Sequence, residues 1–531
     1  MATTPRGPSA SKPFRFTRVL AAAAIVPVLA VTACGGDSKA GTSSSGSKVG
    51  ESLTFGTIAA PPTLNPATSD PAYGSVLQWA YDPLIQMKPD GTFAAGLAVK
   101  WGYIGEANKT YEMTLREGVK FSDGEALTAE AVKTFLDYAR SQKTGSAAIL
   151  LASIGSVNVT GPLTLQIKLK VSDPGLTFAF AQAFGVGFIA SPKAVSSPAS
   201  LDKGTAGAGA YMLDAEKTVA ADHYVFVPNP NYWNKEAQHW KQVTVRVIPN
   251  PSSMVQAMRA GQVQAALGDA TTLAAAKGAG LNVIAPPQAL TGLNLVDRNG
   301  SVSKAVGDVR VRQALNYAVD RKAIAKALYG DEALALSQYA LPGQAGYDEA
   351  LNSKYPHDVA KAKQLLSEAG YPNGLTVETL SVNLFGLDKV TQAIAGQLKE
   401  AGVTLKLTTK GDANDYFTNM VSGKYPTVAM AYGLSNMGTL YAGFINKAGP
   451  FNPLHVSDPE LDALYAKYFV ASEADGPALQ KQINARLVDQ AWTIPVVGAP
   501  LSYYTAKGIG GLEATPQNSG VPLLTDIRPA N

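Results

Sequence analysis

The sequence predicts an α/β fold with more than one lobe. Its middle and C-terminal portions alternate well-delimited helices with short apolar strands, an order that packs helices against a sheet in layers. The chain has 531 residues, of which 46% are hydrophobic. This length exceeds what one hydrophobic core ordinarily organises, so we expect two or three lobes.

The first half of the body predicts strands and one capped helix. Residues 52–58 read as a first strand, and 75–81 as a helix after a Pro-rich turn. Thr110–Leu115 alternates apolar and polar residues, as a half-buried strand does. Thr128 can cap a helix whose inward face is formed by Val132, Phe135, Leu136 and Ala139.

The second half contains four helices whose ends are marked by capping residues. A strand over 403–407 follows the third of them. The expected helices are one over 308–324 capped by Asp308, one from Asp358 to Gly370, one that buries Val390, Ile394 and Leu398 before Gly402, and one opened by Asp458 and Pro459.

Residues 1–34 have the pattern of an export signal. A basic leader precedes an apolar run over 19–33, which Pro27 interrupts, and the run ends at Cys34, the only cysteine of the chain. This arrangement resembles a bacterial lipobox, in which the thiol receives a diacylglycerol and becomes the new N-terminus. The alternative is a transmembrane anchor, but the run has about 15 residues where a spanning helix needs roughly 20.

Residues 35–48 are rich in Gly and Ser and predict a flexible linker. We therefore expect an extracytoplasmic protein that is lipid-anchored to the cell membrane through Cys34. With that thiol modified, no cysteine remains for a disulfide, a thiolate metal site or a nucleophile.

Charge and histidine content exclude several classes of function. The net charge of +4 includes the basic leader, so the body is close to neutral, and no nucleic-acid partner is expected. The 4 histidines are spread widely and form no closely spaced pair. We expect no metal site and no cofactor.

Short catalytic patterns occur only out of context. KTG at 143–145 and SVSK at 301–304 match two elements of penicillin-binding enzymes, but in the reverse order. The Gly-rich segment 204–209 precedes a predicted strand, whereas a dinucleotide site needs a helix there. It is interpreted as a tight turn. We expect no catalytic residue, and hence no enzyme.

A series of motifs runs from about residue 50 to about residue 500. They are YDPLI at 81–85, DGTF at 90–93, LAVKW at 97–101, YEMTLREGVKFSDG at 111–124, GAY at 209–211, NPNYW at 229–233, QAMRAGQVQ at 256–264, VRQALNYAVDR at 311–321 and AKQLLSEAGY at 362–371. Together and in this order they resemble the family 5 (peptide/nickel/oligopeptide-type) extracytoplasmic solute-binding lipoproteins of bacterial ABC importers.

The resemblance implies a periplasmic-binding-protein-like class II fold, a two-lobed α/β clamshell with an extra subdomain. It also implies hinge crossings near Gly292 and Pro495. The implied segments are a discontinuous lobe I over 50–92, 205–288 and 496–531, an additional domain over 93–204, and lobe II over 289–495.

The implied function is capture of a peptide-like or other polar solute in the interlobe cleft and its delivery to the ABC permease subunits. We expect a monomer whose partners are the solute, the permease and, through Cys34, the membrane. A non-transport sensor lipoprotein, a binder of oligosaccharide and, less favoured by the motifs, an envelope hydrolase are the alternatives.

One segment departs from the peptide-binding members of the family. Those members carry W-x-x-D, whose aspartate pairs with the peptide ammonium, because a desolvated cation needs a charged partner. Here Tyr432 takes the place of the tryptophan and Ser435 that of the aspartate, with no acid between 416 and 454. We expect a cleft wall without a negative charge, which favours a capped or modified peptide, an oligosaccharide or another neutral solute.

The resemblance places the ligand contacts on three segments of the chain. Tyrosine suits such contacts, since it offers an apolar face and a hydroxyl. The predicted ligand-binding residues are Asp70 and Tyr73 after the first strand, Phe385, and Tyr432, Gly433, Ser435 and Asn436 with Tyr441 a turn later.

Overall fold

The computed structural model describes residues 49–143, 146–330, 333–384, 386–433 and 437–530. Cys34, the linker 35–48, Phe385, Ser435 and Asn436 therefore lie outside the described residues. Within the described ranges, no helix combines the length and apolar character needed to cross a membrane.

Over the described residues, the strands form three larger sheets and two sheets of only two strands each. In chain order they are β1 (Leu53–Thr57), β2 (Ile85–Met87), β3 (Phe93–Ala95), β4 (Ala98–Tyr103), β5 (Thr110–Leu115), β6 (Ile154–Gly161), β7 (Thr164–Leu169), β8 (Tyr211–Leu213), β9 (His223–Pro228), β10 (Val243–Val247), β11 (Ala265–Leu267), β12 (Asn282–Ile284), β13 (Pro287–Asn294), β14 (Leu334–Ala335), β15 (Leu375–Val382), β16 (Val403–Lys410), β17 (Thr427–Gly433), β18 (Thr493–Pro500), β19 (Tyr503–Thr505), β20 (Ile509–Gly510) and β21 (Arg528–Pro529).

The helices lie on or between these sheets. They are α1 (Gly74–Leu77), α2 (Ala129–Ser141), α3 (Ser146–Leu150), α4 (Leu176–Ala179), α5 (Pro192–Ser196), α6 (Pro251–Arg259), α7 (Leu273–Gly278), α8 (Lys304–Gly307), α9 (Val309–Tyr317), α10 (Arg321–Tyr329), α11 (Val359–Glu368), α12 (Leu387–Glu400), α13 (Ala413–Met420), α14 (Met437–Leu440), α15 (Pro459–Val470) and α16 (Gly476–Asp489).

Each larger sheet takes most of its strands from one predicted segment. The seven-stranded sheet has the order β12-β19-β11-β1-β10-β9-β8, the four-stranded sheet β4-β5-β7-β6, and the six-stranded sheet β14-β18-β13-β17-β15-β16. These correspond in sequence to lobe I, the additional domain and lobe II. Since β13 and β18 span the predicted limits at 288/289 and 495/496, the domain boundaries stay predictions.

A two-stranded ribbon passes through both of the largest sheets. β12 pairs antiparallel with β19 in the seven-stranded sheet, and β13 pairs antiparallel with β18 in the six-stranded sheet. Between the two pairs, the Leu501 N–H donates to the Pro286 carbonyl at 3.1 Å. A Cβ on Gly292 would lie 2.0 Å from the Ile494 carbonyl oxygen, so this close pairing of β13 with β18 requires glycine.

The ribbon corrects the predicted position of the crossings. Gly292 and Pro495 are paired with each other inside the six-stranded sheet. The chain passes between the sheets at 285–286 and at 501–502 instead, because the ladder continues for several residues beyond that pair.

Most sequence predictions for the individual elements are confirmed. β1 and β5 form where expected, and Tyr111, Met113 and Leu115 are buried on one face of β5. Helices α2, α11 and α15 begin at their predicted caps, and α12 buries Val390, Ile394 and Leu398 as expected. For example, the Asp358 carboxylate accepts from the Lys361 N–H at 2.8 Å. The strand after α12 runs to Lys410 rather than 407.

Two helix predictions are wrong in extent. The helix expected over 308–324 is two helices, α9 and α10, because Asp320 adopts an extended conformation and caps the second through the Ala323 N–H at 3.0 Å. The helix expected over 75–81 ends at Leu77. The carbonyls of Trp79 and Ala80 instead accept hydrogen bonds from the backbone of 209–211, the end of the Gly-rich turn, at 3.0 Å each.

One of the motifs that carry the family resemblance, YDPLI at 81–85, contains a buried carboxyl, that of Asp82. Tyr232 Oη and Trp233 Nε1 both donate to Asp82 Oδ2, at 3.0 and 3.1 Å. The Arg116 guanidinium stacks on the Trp233 ring, 3.9 Å from its centroid. Burial raises the pKa of Asp82 to about 6, although these hydrogen bonds oppose the shift.

The raised pKa of Asp82 predicts a specific pH dependence of stability. The folded state holds a proton that the unfolded state releases near pH 3.8, so the free energy of unfolding should decrease as pH rises from about 4 to about 6. In the unmodified protein this decrease in the free energy of unfolding should be on the order of 2 kcal/mol. The neutral isostere Asp82→Asn has no such proton to release, so the decrease should be absent from the variant. Urea unfolding across this pH range measures it, and an unchanged slope in the variant would contradict the assignment.

Candidate functional site

A cavity of about 540 Å³ lies between predicted lobe II on one side and predicted lobe I with the additional domain on the other. Apolar and aromatic side chains form most of its walls. On the side of the six-stranded sheet it is lined by Tyr339, Gly346, Tyr432, Gly433, Met437 and Phe444. On the opposite side it is lined by Met87, Asp90, Phe93, Thr177, Phe178 and Phe184.

The end of β17 brings Tyr432 to the cavity. β17 is a buried inner strand with β13 on one side and β15 on the other. The Tyr432 ring packs against Phe444 and Tyr339, with centroids 4.4 and 5.9 Å away. Burial raises the pKa of Tyr432 well above its ordinary value, so its hydroxyl stays protonated and can both donate and accept.

A loop over 339–346 completes this wall, and a buried amide holds it. Asn484 of α16 is fully buried, and its Oδ1 accepts from the Tyr339 N–H at 3.1 Å. Its Nδ2 donates to Gln338 Oε1 at 2.8 Å and to the Gly346 carbonyl at 2.9 Å. One side chain thus fixes both ends of the loop that lines the cavity.

A second buried amide holds the opposite wall. Gln182 accepts from the Met87 N–H at 2.9 Å and donates to the Met87 carbonyl at 2.7 Å. It also donates to the Val521 carbonyl at 3.3 Å. The β2–β3 hairpin, which carries Asp90 and Phe93, is therefore tied to both the 174–184 segment and the C-terminal segment.

The C-terminal segment reaches the cavity through Gln517. A Cβ on Gly343 would lie 1.9 Å from Gln517 Nε2, and one on Gly91 would lie 3.1 Å from Gln517 Cβ. Both glycines also have positive φ angles, of 86° and 83°. Gln517 therefore packs between the hairpin of one wall and the loop of the other, where any larger residue than glycine would displace it.

One carboxylate lines the cavity at the tip of the hairpin. Asp90 Oδ1 accepts from the Thr92 hydroxyl at 2.6 Å and from the Thr92 N–H at 2.9 Å. These two hydrogen bonds lower the pKa of Asp90, which is exposed and hence ionised at neutral pH. Among the described lining residues there is no Lys, Arg or His.

The predicted site residues are only partly brought together. Tyr432 and Gly433 line the cavity. Asp70 caps a short 3-10 helix through the Ala72 N–H and lines a smaller groove, which shares only Phe184 with the cavity. Tyr73 belongs to that helix and lines neither the groove nor the cavity. The Tyr441 ring packs at a tilt against Tyr465, with 4.4 Å between the ring centroids. Tyr441 is not among the residues that line the cavity.

The expectation of a cleft wall without a negative charge is wrong for this cavity. It rested on residues 416–454 of one wall, whereas Asp90 belongs to the other. The Asp-Gly pair at 90–91 belongs to DGTF, one of the motifs that carry the family resemblance, and the motif gives it no role in binding. Only the packing of the hairpin against the 339–346 loop places it at the cavity. Asn484 and Gln182 gave no recognisable sequence signal, since a buried amide has no periodicity of its own.

The described residues contain no group of three or more His, Cys, Asp or Glu side chains that could hold a metal ion.

The architecture and the interlobe cavity define a solute-binding protein of the clamshell class. The family model "Bacterial extracellular solute-binding proteins, family 5 Middle" matches residues 92–449. The chain therefore belongs to this family of bacterial extracellular solute-binding proteins. The family resemblance and the fold class predicted from the sequence are both confirmed.

Relatives that are named for different ligands are similar in sequence. The nickel-binding periplasmic protein of Escherichia coli K12 is 26% identical over 490 residues, which cover 87% of this chain and 91% of the relative. The glutathione-binding protein GsiB of Salmonella paratyphi A is 30% identical over 321 residues, which cover 58% of this chain and 59% of that protein.

Solved structures share the fold at lower identity. The ABC transporter substrate-binding protein CtaP of Listeria monocytogenes superposes with a TM-score of 0.77 at 22% identity, covering 91% of this chain and 100% of that one. DppA of Helicobacter pylori in complex with the peptide STSA gives a TM-score of 0.73 at 19% identity, covering 91% and 99%.

The role of Asn484 can be tested by its removal. Asn484→Ala would leave the Tyr339 N–H and the Gly346 carbonyl without partners, so we expect a loss of about 2–3 kcal/mol in the free energy of unfolding. Gln482→Ala, at an exposed position of the same helix, is the matched control and should change stability by less than about 0.5 kcal/mol. Equal effects of the two variants in urea unfolding would refute this role.

Proposed function

We propose that the protein captures a peptide-like or other polar solute in the interlobe cavity and delivers it to the permease of an ABC importer. The observation that carries the proposal is the composition of the cavity, whose lining comes from predicted lobe I with its C-terminal segment, from the additional domain and from lobe II. Its volume of about 540 Å³ is in the range of ordinary small-molecule sites.

The walls suit binding rather than chemical conversion. Tyr339, Tyr432 and Phe444 supply flat apolar surface, on which a peptide or sugar can pack. Gln480, Gln517 and Thr177 add amide and hydroxyl groups that can orient a polar solute. Such a lining favours capture of a solute with mixed apolar and polar surface, and no bond need be broken.

Contacts across the cleft support a closing motion as the mechanism of capture. Asn108, at the β4–β5 turn, donates to the carbonyls of Phe469 and Ala471 at the C-terminal end of α15, at 3.2 and 3.0 Å. These bonds join the predicted additional domain to lobe II. A solute that touches both walls would add to such contacts only in the closed state, and would therefore shift the population toward it.

Capture in this cavity predicts a contrast between two exposed phenylalanines. Phe93 is 37% exposed and lines the cavity, whereas Phe417 is 50% exposed and lies on α13, away from it. Phe93→Ala should weaken solute binding by roughly tenfold, since it removes an aromatic contact worth about 1–2 kcal/mol. Phe417→Ala should leave binding unchanged.

The solute for this measurement is the one that native mass spectrometry detects on the purified protein. Calorimetric titration of protein refolded without that solute then gives the affinity of each variant. Equal affinities for Phe93→Ala and the unmodified protein, with both folded, would contradict binding in this cavity.

The proposal includes the membrane anchor inferred from residues 1–34. Cys34→Ser removes the thiol to which the diacylglycerol would be attached, so the protein should move from the membrane fraction to the soluble extracytoplasmic fraction. Its unfolding temperature and solute affinity should not change, because the Gly- and Ser-rich segment 35–48 separates Cys34 from the described body in sequence. Retention of the variant in the membrane fraction would refute lipid anchoring through this residue.

A further inference from the structure

We propose that Asp90 is the charge anchor of the interlobe cavity, and that the cavity selects solutes with a cationic group over their neutral and anionic counterparts. This inference rests on the proposed capture of a solute in that cavity, and it specifies the chemical class of the solute.

The charge balance of the lining is one-sided. Asp90 is the only residue with a formal charge among the described lining residues. In the sequence, Gly433 is followed by Leu434, Ser435 and Asn436, which lie outside the described residues and have no ionisable side chain. A cation that leaves water for this cavity would meet a carboxylate, whereas an anion would meet no basic side chain in the described lining.

The position of Asp90 is fixed before any solute arrives. Thr92 holds its Oδ1, and the hairpin turn is closed by the Lys88 N–H, which donates to the Thr92 carbonyl at 2.9 Å. The Thr515 hydroxyl donates to the Pro89 carbonyl and joins the tip to the C-terminal segment. Asp90 Oδ2 has no hydrogen bond to the described residues, so it can accept from an ammonium without reorganisation.

Other charges near the cavity do not reverse this preference. Lys88 belongs to the same hairpin, but it is exposed and does not line the cavity. Behind the opposite wall, Arg298 is buried, with its guanidinium 3.7 Å from the centroid of Trp492. The adjacent Asp297 is also fully buried, and its carboxylate offsets that charge.

The selectivity can be measured with three peptides that differ only in their ends. Tetra-alanine amide carries a free ammonium, its N-acetyl form is neutral, and N-acetyl tetra-alanine with a free carboxylate is an anion. Titration calorimetry should give the tightest binding for the cation and the weakest for the anion. The difference should shrink at high salt, because an exposed carboxylate is screened.

Two variants separate the role of Asp90 from general effects of charge. Asp90→Asn keeps the acceptor for Thr92, and should weaken binding of the cationic peptide by about fivefold while binding of the neutral one changes by less than about twofold. Asp358→Asn removes an equal charge from an exposed helix cap outside the cavity, where asparagine also caps well. It should preserve the binding order of the unmodified protein.

Each outcome decides the proposal. An unchanged preference for the cation in Asp90→Asn, a preference for the anion, or failure of all three peptides to bind would overturn it. Solute capture would still be judged separately, by the contrast between Phe93 and Phe417 with the solute found on the purified protein.

Discussion

The continuous pairing of two antiparallel chain segments is the constraint on which the rest of the structure depends. β12 and β13 run beside β19 and β18, so that the same ribbon lies in the seven-stranded and six-stranded sheets. Gly292 permits the close approach within this ribbon, where a Cβ would meet the Ile494 carbonyl oxygen. Because both sheets share the ribbon, a displacement of one sheet must bend or twist these two segments.

The two walls of the cavity are held by the same physical device. Asn484 ties the 339–346 loop on one side, and Gln182 ties the β2–β3 hairpin on the other. Both are buried amides that satisfy backbone groups: Asn484 those at the two ends of an irregular loop, and Gln182 the N–H and carbonyl of Met87 in the short strand β2. Loops that line a binding cavity can thus be irregular in shape and still have a defined geometry.

The proposed binding cavity combines aromatic side chains with one charged side chain among its described lining residues, and the two kinds of group would contribute differently. Apolar and aromatic contacts scale with the area removed from water and discriminate weakly among solutes of similar size. A carboxylate that faces a cavity without basic groups discriminates by sign. Relatives of this chain are named for ligands of different chemistry, nickel and glutathione.

The sequence by itself determined the elements whose signals are local. Helix caps such as Asp358 and Asp458, the alternation in β5 and the ordered motifs specify the α/β class and the family, because each depends on residues a few positions apart. Tertiary structure decided the rest. The helix expected over 308–324 is interrupted at Asp320, and the one expected over 75–81 ends early, where its carbonyls bond to the backbone of 209–211. The positions of Asp90, Gln182 and Asn484 depend on contacts with segments distant in the sequence. Sequence spacing carries no information on such contacts, since packing brings together residues up to several hundred positions apart.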